Sequence, residues 1–333
     1  MSRILRNRSI LQHCPERPNM SRPTVVILLS DKRSGSTILQ TEFLSHPDVR
    51  GLDYTSHTYL ESHHWLKAAV MTGQPDRLFS AGQIYPGYGG ARNARTYMID
   101  TITGNLPDFV PPQDDRDLVF EGWEALCQHY AKPVFFEKSP QVLANWASVI
   151  MLLEWVKKTS FDVRLVGLVR NPLAVQHSAQ LLFGSVPVAR QYGWAETHRN
   201  LLALRQMLPE DRLMLLRHED ILADPQARFA DLCRYVGLEN SDGMGQQITA
   251  RTQDRWKDDP DYTLRLHPSV VHVAKALGYH DDELQNPNAQ AEPDLGVTPQ
   301  TISWKLPSLS QAKNKFRDRV ARPYLMRRRT KFR

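Results

Sequence analysis

Thr24-Val25-Val26-Ile27-Leu28-Leu29 runs into Ser30-Asp31-Lys32-Arg33-Ser34-Gly35-Ser36-Thr37, and Ile38-Leu39-Gln40-Thr41-Glu42-Phe43-Leu44 follows. The first run is continuously apolar from Val25 to Leu29 and rich in β-branched residues, which is how a strand buried on both faces of a parallel sheet reads. The next eight residues are small, charged or hydroxylated, with one glycine. From Ile38 the apolar positions return at helical spacing. Strand, small polar loop and helix start together aim a group of backbone N–H donors at an anion. Arg33 lies where a cation would neutralise it. The loop departs from a Walker A motif, which needs a glycine, four residues, then Gly-Lys-Ser/Thr: no glycine opens it, and Ser36 stands in the lysine position. It is a phosphate cradle with the wrong residues for ATP.

Two further strand ends carry cations. Val163–Val169 reads as a central strand that Arg170-Asn171-Pro172 turns into a helix bearing Ser178. An arginine at a strand end and a hydroxyl two turns into the next helix can converge on one phosphate, and the planar guanidinium suits it. Lys132-Pro133-Val134-Phe135-Phe136-Glu137-Lys138-Ser139-Pro140 places Lys138 at the C-terminal end of a short strand, the sheet edge where ligands sit in parallel α/β folds. Ser139 and Pro140 read as N-cap and first residue of a helix through Leu143, Trp146, Ile150, Leu153 and Val156.

With these residues the chain resembles the sulfotransferases that use 3′-phosphoadenosine 5′-phosphosulfate (PAPS), in particular the bacterial, tyrosylprotein and carbohydrate types. The similarity runs over about residues 24–279 and includes the strand–helix unit from Leu213 through Arg217-His218-Glu219-Asp220, with His218 in place of the family's Tyr. It implies a three-layer α/β sandwich around a central parallel sheet, of the P-loop nucleoside-triphosphate-hydrolase type. It also implies PAPS as co-substrate and a chemistry that requires no metal. Arg33, Ser34, Gly35, Ser36 and Thr37 would hold the 5′-phosphosulfate, Lys138 would reach the transferred sulfuryl group, and Arg170 with Ser178 would read the 3′-phosphate. Arg255 and Lys257, flanking Trp256, match a basic aromatic loop that closes over the donor in relatives, although Trp256 reads equally as core.

The acceptor's base is the open position. Relatives of the tyrosylprotein type place a Glu shortly after the first helix; here Gly51-Leu52-Asp53-Tyr54 makes Asp53 the nearest carboxylate, with His57 and Glu61 further on. Asp53 and Glu61 rank together, then His57, and each also reads as a solvated or capping residue. On a helix, His57, Glu61 and His64 would share a face, a metal-ligand set that lacks the HExxH form; a polar wall of the substrate cleft is the preferred reading.

Composition bounds the rest. At 333 residues, 41% of them hydrophobic, the chain can bury a sizeable core. No apolar run reaches the ~18 residues of a membrane span, and Met1–Met20 lacks the apolar centre of a signal peptide. Three distant cysteines, Cys14, Cys127 and Cys233, point to a reducing compartment rather than a disulfide frame or zinc site. The net charge of +6 comes from the ends: residues 305–333 hold eleven Lys and Arg against one acid, and residues 1–23 hold five Arg against one Glu, so the body is acidic. The expected plan is a basic extension (1–23), one catalytic domain (24–280) with an irregular, Pro- and Gly-rich insertion at 70–118, a linker (281–304) and a basic tail (305–333). The insertion reads as a lid or acceptor pocket; its Tyr85, Tyr88, Arg92, Arg95 and Tyr97 favour a polar, hydroxylated small acceptor such as a carbohydrate or glycolipid. A cytoplasmic protein is expected, peripheral to an anionic membrane if the tail binds lipid, with no nucleic-acid partner. The alternatives are a P-loop kinase using ATP and a non-catalytic protein that binds membranes or polyanions through its tail.

Overall fold

A computed structural model describes residues 22–57, 59–73, 77–80, 83–86, 91–241, 243–246, 248 and 254–289, with 77–80 and 83–86 described by their backbone. Both basic ends lie outside these residues. The strands are β1 (Thr24–Ser30), β2 (Val49–Arg50), β3 (Arg77–Ser80), β4 (Gln83–Pro86), β5 (Val134–Lys138), β6 (Asp162–Val169) and β7 (Leu213–Arg217). The helices are α1 (Ser36–Phe43), α2 (His64–Met71), α3 (Ala91–Asn105), α4 (Asp115–Tyr130), α5 (Trp146–Lys158), α6 (Pro172–Phe183), α7 (Pro187–Met207), α8 (His218–Ala223), α9 (Pro225–Tyr235) and α10 (Pro268–Ala276). Among the described residues no helix is long and apolar enough to cross a membrane.

Five strands form one parallel sheet in the order β2-β5-β1-β6-β7, and β3 and β4 form a separate antiparallel pair. The continuously apolar reading of β1 has its cause here: all seven residues are buried, between β5 and β6. Alternate residues serve opposite faces. Val25, Ile27 and Leu29 pack with Trp65, Trp123, Trp155 and Trp194. Val26 and Leu28 pack with Phe43, Phe136, Phe229 and Leu232. Two cores divided by one sheet make the expected three-layer sandwich.

The register sets the site. Leu28 pairs with Lys138, Ser30 with Leu168, and Val169 with Arg217. The residues just past these ends, namely Asp31, Ser139, Arg170 and His218, therefore line one edge of the sheet, and α1, α6 and α8 start from it.

Four boundaries differ from the sequence expectations. The insertion at 70–118 contains the regular 15-residue helix α3, whose Ala94, Met98, Thr101 and Ile102 are buried; the surrounding Pro and Gly obscured its period. α5 begins later than expected, capped by Asn145, whose Oδ1 accepts the Ser148 N–H at 3.2 Å, because Ser139 is engaged elsewhere. The shared face of His57, Glu61 and His64 requires a helix, but residues 57 and 59–63 are loop and α2 begins at His64. Residues 281–289, placed in the linker, pack on the body: Leu284 is buried, Asn171 donates to the Glu283 carbonyl at 2.6 Å, and Asn286 donates to the carbonyls of Tyr262 and Leu264 at 2.8 and 3.1 Å.

Burial decides the cost of trimming an isoleucine here. Ile27→Ala, in the two-sided strand, is expected to lower the unfolding free energy by about 2–5 kcal/mol, whereas Ile38→Ala, 43% exposed on α1, should change it by less than about 0.5 kcal/mol. Urea unfolding of both variants checks this; equal losses would contradict the packing described.

Candidate active site

The loop after β1 adopts a conformation that few sequences permit. Arg33 (φ 72°) and Gly35 (φ 90°) are both left-handed, and such turns among right-handed neighbours gather successive N–H groups into an anion-binding concavity. Gly35 is required twice, by its φ and by space: a Cβ on it would lie 2.3 Å from Nδ1 of His218. α1 starts at Ser36 with no side-chain cap, so its first-turn N–H groups keep the dipole-assisted capacity to bind an anion.

Buried charge holds this loop. Asp31 Oδ1 accepts the Lys32 N–H at 2.7 Å, and Asp31 Oδ2 accepts from Arg190 of α7 at 3.0 Å. Arg190 also donates to Gln176 Oε1 at 3.0 Å and to the Lys32 carbonyl at 3.3 Å. Neither Asp31, Arg190 nor Gln176 was singled out from the sequence; a carboxylate directly after a fully buried strand was the available signal. From the other side, Arg170 donates to the Arg33 carbonyl at 2.9 Å, and Arg33 Nε donates to Ser178 Oγ at 3.0 Å. Arg33, assigned from sequence to the 5′-phosphosulfate, thus lies beside Arg170 and Ser178, assigned to the 3′-phosphate. Arg170 has the aid of Glu219, which accepts from the Asn171 N–H at 2.9 Å and from Tyr279 at 2.9 Å.

The desolvation is legible in the titration of these groups. Burial lowers the pKa of Lys32, Arg33 and Arg170, with Glu219 opposing it at Arg170. Burial, seconded by the Arg170 charge, takes His218 down to about 3, so the imidazole packed over Gly35 is neutral. The position reads as structural, as the sequence indicated. Ser34 Oγ is buried without a protein partner, a hydroxyl available to an anion.

At the β5 end, Lys138 is fully buried and its Nζ donates to Glu61 Oε1 at 2.8 Å and to Thr37 Oγ1 at 3.4 Å. The same amine lies 5.7 Å from the Tyr59 ring centre. His57 Nδ1 and His63 Nε2 lie 3.4 and 3.3 Å from Glu61 Oε2, and Tyr97 donates to the Glu61 carbonyl at 3.0 Å. His63 takes the place expected of His64, which faces away: its Nε2 meets the Val119 carbonyl at 2.9 Å and its ring packs on Trp65 and Trp123. The stretch 59–63 is pinned by Glu137, a carboxyl raised in pKa by burial. Its Oε1 accepts from Ser62 Oγ at 2.6 Å and from Ser139, and Ser139 Oγ accepts the His63 N–H at 2.8 Å.

Other expected residues do not join this group. Asp53 accepts from Tyr130 at 3.0 Å, and its N–H donates to Asn105 at 3.1 Å. It belongs to an open cleft of about 400 Å³ with Arg50, His129 and Lys132, on the side where the chain enters β5. It sits away from Lys138, which ends that strand. Arg255 is exposed, Lys257 pairs with Asp254 at 3.0 Å, and neither is bonded to Arg33, Arg170 or Ser178. Trp256 between them is core. Their segment is nevertheless fastened to α6, through His177 and Asp259 at 2.8 Å and the Tyr262 hydroxyl donating to the Leu173 carbonyl at 2.8 Å. In the insertion, Arg95 is committed to Asp115 and the Pro112 carbonyl, Arg92 is exposed, and the side chains of Tyr85 and Tyr88 lie outside the described residues.

A three-layer sheet whose one edge gathers arginines, a lysine and helix-start N–H groups around a loop without the Walker lysine separates this site from ATP-binding P-loops. The family model described as "Sulfotransferase family" matches residues 23–242. The chain belongs to the sulfotransferase family. No curated protein matches it in sequence. Among solved structures, the sulfotransferase domain of the Synechococcus PCC 7002 olefin synthase is similar in fold: TM-score 0.51 at 18% identity, over 80% of this chain and 98% of that one. The sulfotransferase domain from the curacin biosynthetic pathway is similar too: TM-score 0.51 at 17% identity, over 78% and 98%. This sulfotransferase is therefore an enzyme of sulfuryl transfer, and its loop at 31–37 departs from a Walker motif.

The neutral histidines at the site and in the core give the sulfotransferase a pH-dependent stability. Burial lowers His63 and His198, and takes His64 to about 4 and His218 to about 3, against 6.5 in an exposed histidine. A lowered folded pKa means stability that is complete above about 6.5 and is lost as pH falls, because the unfolded chain takes up protons that the native state refuses. Glu137 and Glu219, raised by burial, act oppositely: their contribution is complete below about 4.5 and is lost as pH rises through their folded values. Four histidines oppose two carboxyls, so stability should fall between pH 6.5 and 5 by about 1.4 kcal/mol per pH unit for each histidine not offset. Urea unfolding at pH 7.5, 6.5 and 5.5 measures it; a stability that rises on acidification would contradict the neutral burial of these rings.

Proposed function

We propose that this enzyme transfers the sulfuryl group of PAPS to a hydroxyl of a small polar acceptor, of carbohydrate or glycolipid type, by in-line attack. The observation that supports this reading best is that two anion sites on two separate strand ends converge. One is the nest at Ser34–Thr37 with Arg33; the other is Arg170 with Ser178, which Arg33 itself joins. A bisphosphorylated nucleotide has two anionic ends to satisfy them, one at each strand end.

The chemistry follows from charge. Attack by the acceptor oxygen forms an O–S bond while the bond from sulfur to the bridging phosphate oxygen breaks. The electron pair leaves with adenosine 3′,5′-bisphosphate. By analogy with loose phosphoryl transfer, negative charge grows on the bridging oxygen and on the oxygens around sulfur. The backbone donors of Ser34–Thr37, with Arg33 and Lys138, suit that charge, and one such donor in a dry site is worth about 3 kcal/mol. Glu61 suits the role of base: one oxygen is held by Lys138, and the other faces His57 and His63. The acceptor's proton goes to Glu61 as the O–S bond forms. Asp53, tied to Tyr130 in another cleft, is poorly placed for it. His57, half-exposed beside Glu61, is the second candidate.

Calorimetry with adenosine 3′,5′-bisphosphate and ATP tests the donor. Tight binding of the bisphosphate and weak binding of ATP are expected; the reverse would point to a kinase. Arg170→Ala should weaken the bisphosphate by about 10- to 100-fold, the equivalent of one charge-assisted contact. It should leave adenosine 5′-phosphosulfate, which lacks the 3′-phosphate, nearly unaffected, and equal losses would overturn the assignment. Glu61→Gln should lower kcat by about 10²- to 10⁴-fold with the bisphosphate affinity retained; an unchanged kcat would pass the role to His57.

A further inference from the structure

We propose that His57, Glu61 and His63 form a binding site for one divalent transition-metal ion of the zinc type, in which the metal takes the oxygen of Glu61 that Lys138 leaves open. The spacing is that of a coordination sphere. His57 Nδ1 and His63 Nε2 stand 3.4 and 3.3 Å from Glu61 Oε2, and all three ligand atoms lie within 4.8 Å of one another. Ligands about 2.0–2.1 Å from a tetrahedral zinc are themselves about 3.3–3.4 Å apart, so two of the three separations already fit, and closing the third asks for a small turn of the half-exposed His57. The two rings are edge-on, 4.9 Å between centres and 83° between planes, which aims two nitrogens at one carboxylate oxygen instead of stacking the rings.

The backbone is arranged for this convergence without using the ligand atoms. Leu60 and His63 are left-handed, at φ 53° and 50°, a conformation that a leucine or a histidine adopts only when its surroundings hold it there. The hold comes from Ser139 and Glu137, which accept the N–H groups of His63 and Ser62, and from Tyr97, which donates to the Glu61 carbonyl. A carboxylate that ligates a metal through one oxygen commonly accepts a hydrogen bond on the other, and Lys138 on Oε1 has that place. The Tyr59 N–H, 3.5 Å from His57 Nδ1, lies at the long limit of a hydrogen bond.

The charges nearby set which ion is accepted. Lys138 touches Glu61, and Lys32 and Lys67 act on His63 from a distance. Hard cations such as Mg²⁺ and Ca²⁺, which bind through oxygen and charge, meet this repulsion with a single carboxylate in return. Zinc, copper and nickel gain from two imidazoles. The consequence for catalysis rests on the reading of Glu61 as base: an oxygen bonded to a metal cannot take the acceptor's proton, so occupancy should inhibit.

Titration calorimetry of the full chain with ZnCl₂, and with MgCl₂ and CaCl₂ as comparisons, is the test. One zinc per chain is expected, with no heat from magnesium or calcium, and His57→Ala and His63→Asn should each weaken zinc at least tenfold. Circular dichroism establishes that the variants fold, and His57→Ala, in a half-exposed loop position, is the safer of the two. No stoichiometric zinc, or zinc bound as tightly by His57→Ala as by the parent, would overturn the proposal. Zinc that binds with the expected variant dependence yet leaves sulfuryl transfer untouched would support the site and remove Glu61 from the base position.

Discussion

The loop between β1 and α1 is held in shape by the buried pair of Asp31 with Arg190. Arg33 in a left-handed conformation costs on the order of 1 kcal/mol or more, and the carbonyls of Lys32 and Arg33 need donors inside the protein. Arg190 answers three needs at once: it neutralises Asp31, occupies Gln176 and covers the Lys32 carbonyl. A pair this dry gains little net stability, because both charges leave water. What it gives is position. Removing one member leaves the other charged and buried, a loss of about 3–5 kcal/mol, so α7 is coupled to β1 through the loop between β1 and α1.

A second constraint follows from the sign of the charge. Arg33, Arg170, Lys32, Lys138 and Arg190 all approach one sheet edge, and desolvation depresses three of them. A folded protein tolerates such an assembly if each cation has a partner before the ligand arrives. Here the partners are Glu61 for Lys138, Asp31 for Arg190, and Glu219 with the Arg33 carbonyl for Arg170. Among the described residues Arg33 bonds the Ser178 hydroxyl, and part of its side chain stays in solvent. In the proposed reading an arriving dianion would meet donors already oriented, which is how electrostatic preorganisation lowers a barrier without reorganisation at the moment of reaction.

What could be read from sequence and what could not divides along chain distance. β1, its loop and α1 are consecutive, and Arg170 and Ser178 lie within one strand–helix turn, so local periodicity and spacing were enough. Arg190 reaches Asp31 across 159 residues, and no local pattern announces that. That His63 and not His64 meets Glu61 has a local cause: a helical period through residue 57 would turn His64 towards Glu61, whereas the left-handed turns at Leu60 and His63 reset the phase before α2 begins. Those turns depend on Glu137 and Ser139, which the sequence presents as a strand end and a helix cap. The segment at 281–289 reads as polar linker because its one buried apolar side chain, Leu284, has no periodic company; its attachment comes from Asn171 and Asn286 bonding to backbone carbonyls.

The two ends of the site are built on different principles, and this bears on how each can change. In the proposed reading the donor end is mostly backbone: a nest, a helix start and two arginines at or beside strand ends, and Gly35, where a Cβ would meet His218, is the position whose substitution disturbs the scaffold. The acceptor end is mostly side chain, carried by a loop that one buried carboxyl, Glu137, staples to β5. Glu61, His57 and Tyr59 hang from that loop; replacing His57 or Tyr59 leaves the staple and the Lys138–Glu61 pair intact, whereas losing Glu61 leaves Lys138 buried without its carboxylate. In that reading donor recognition is bound to the fold, while His57 and Tyr59 can vary without cost to it.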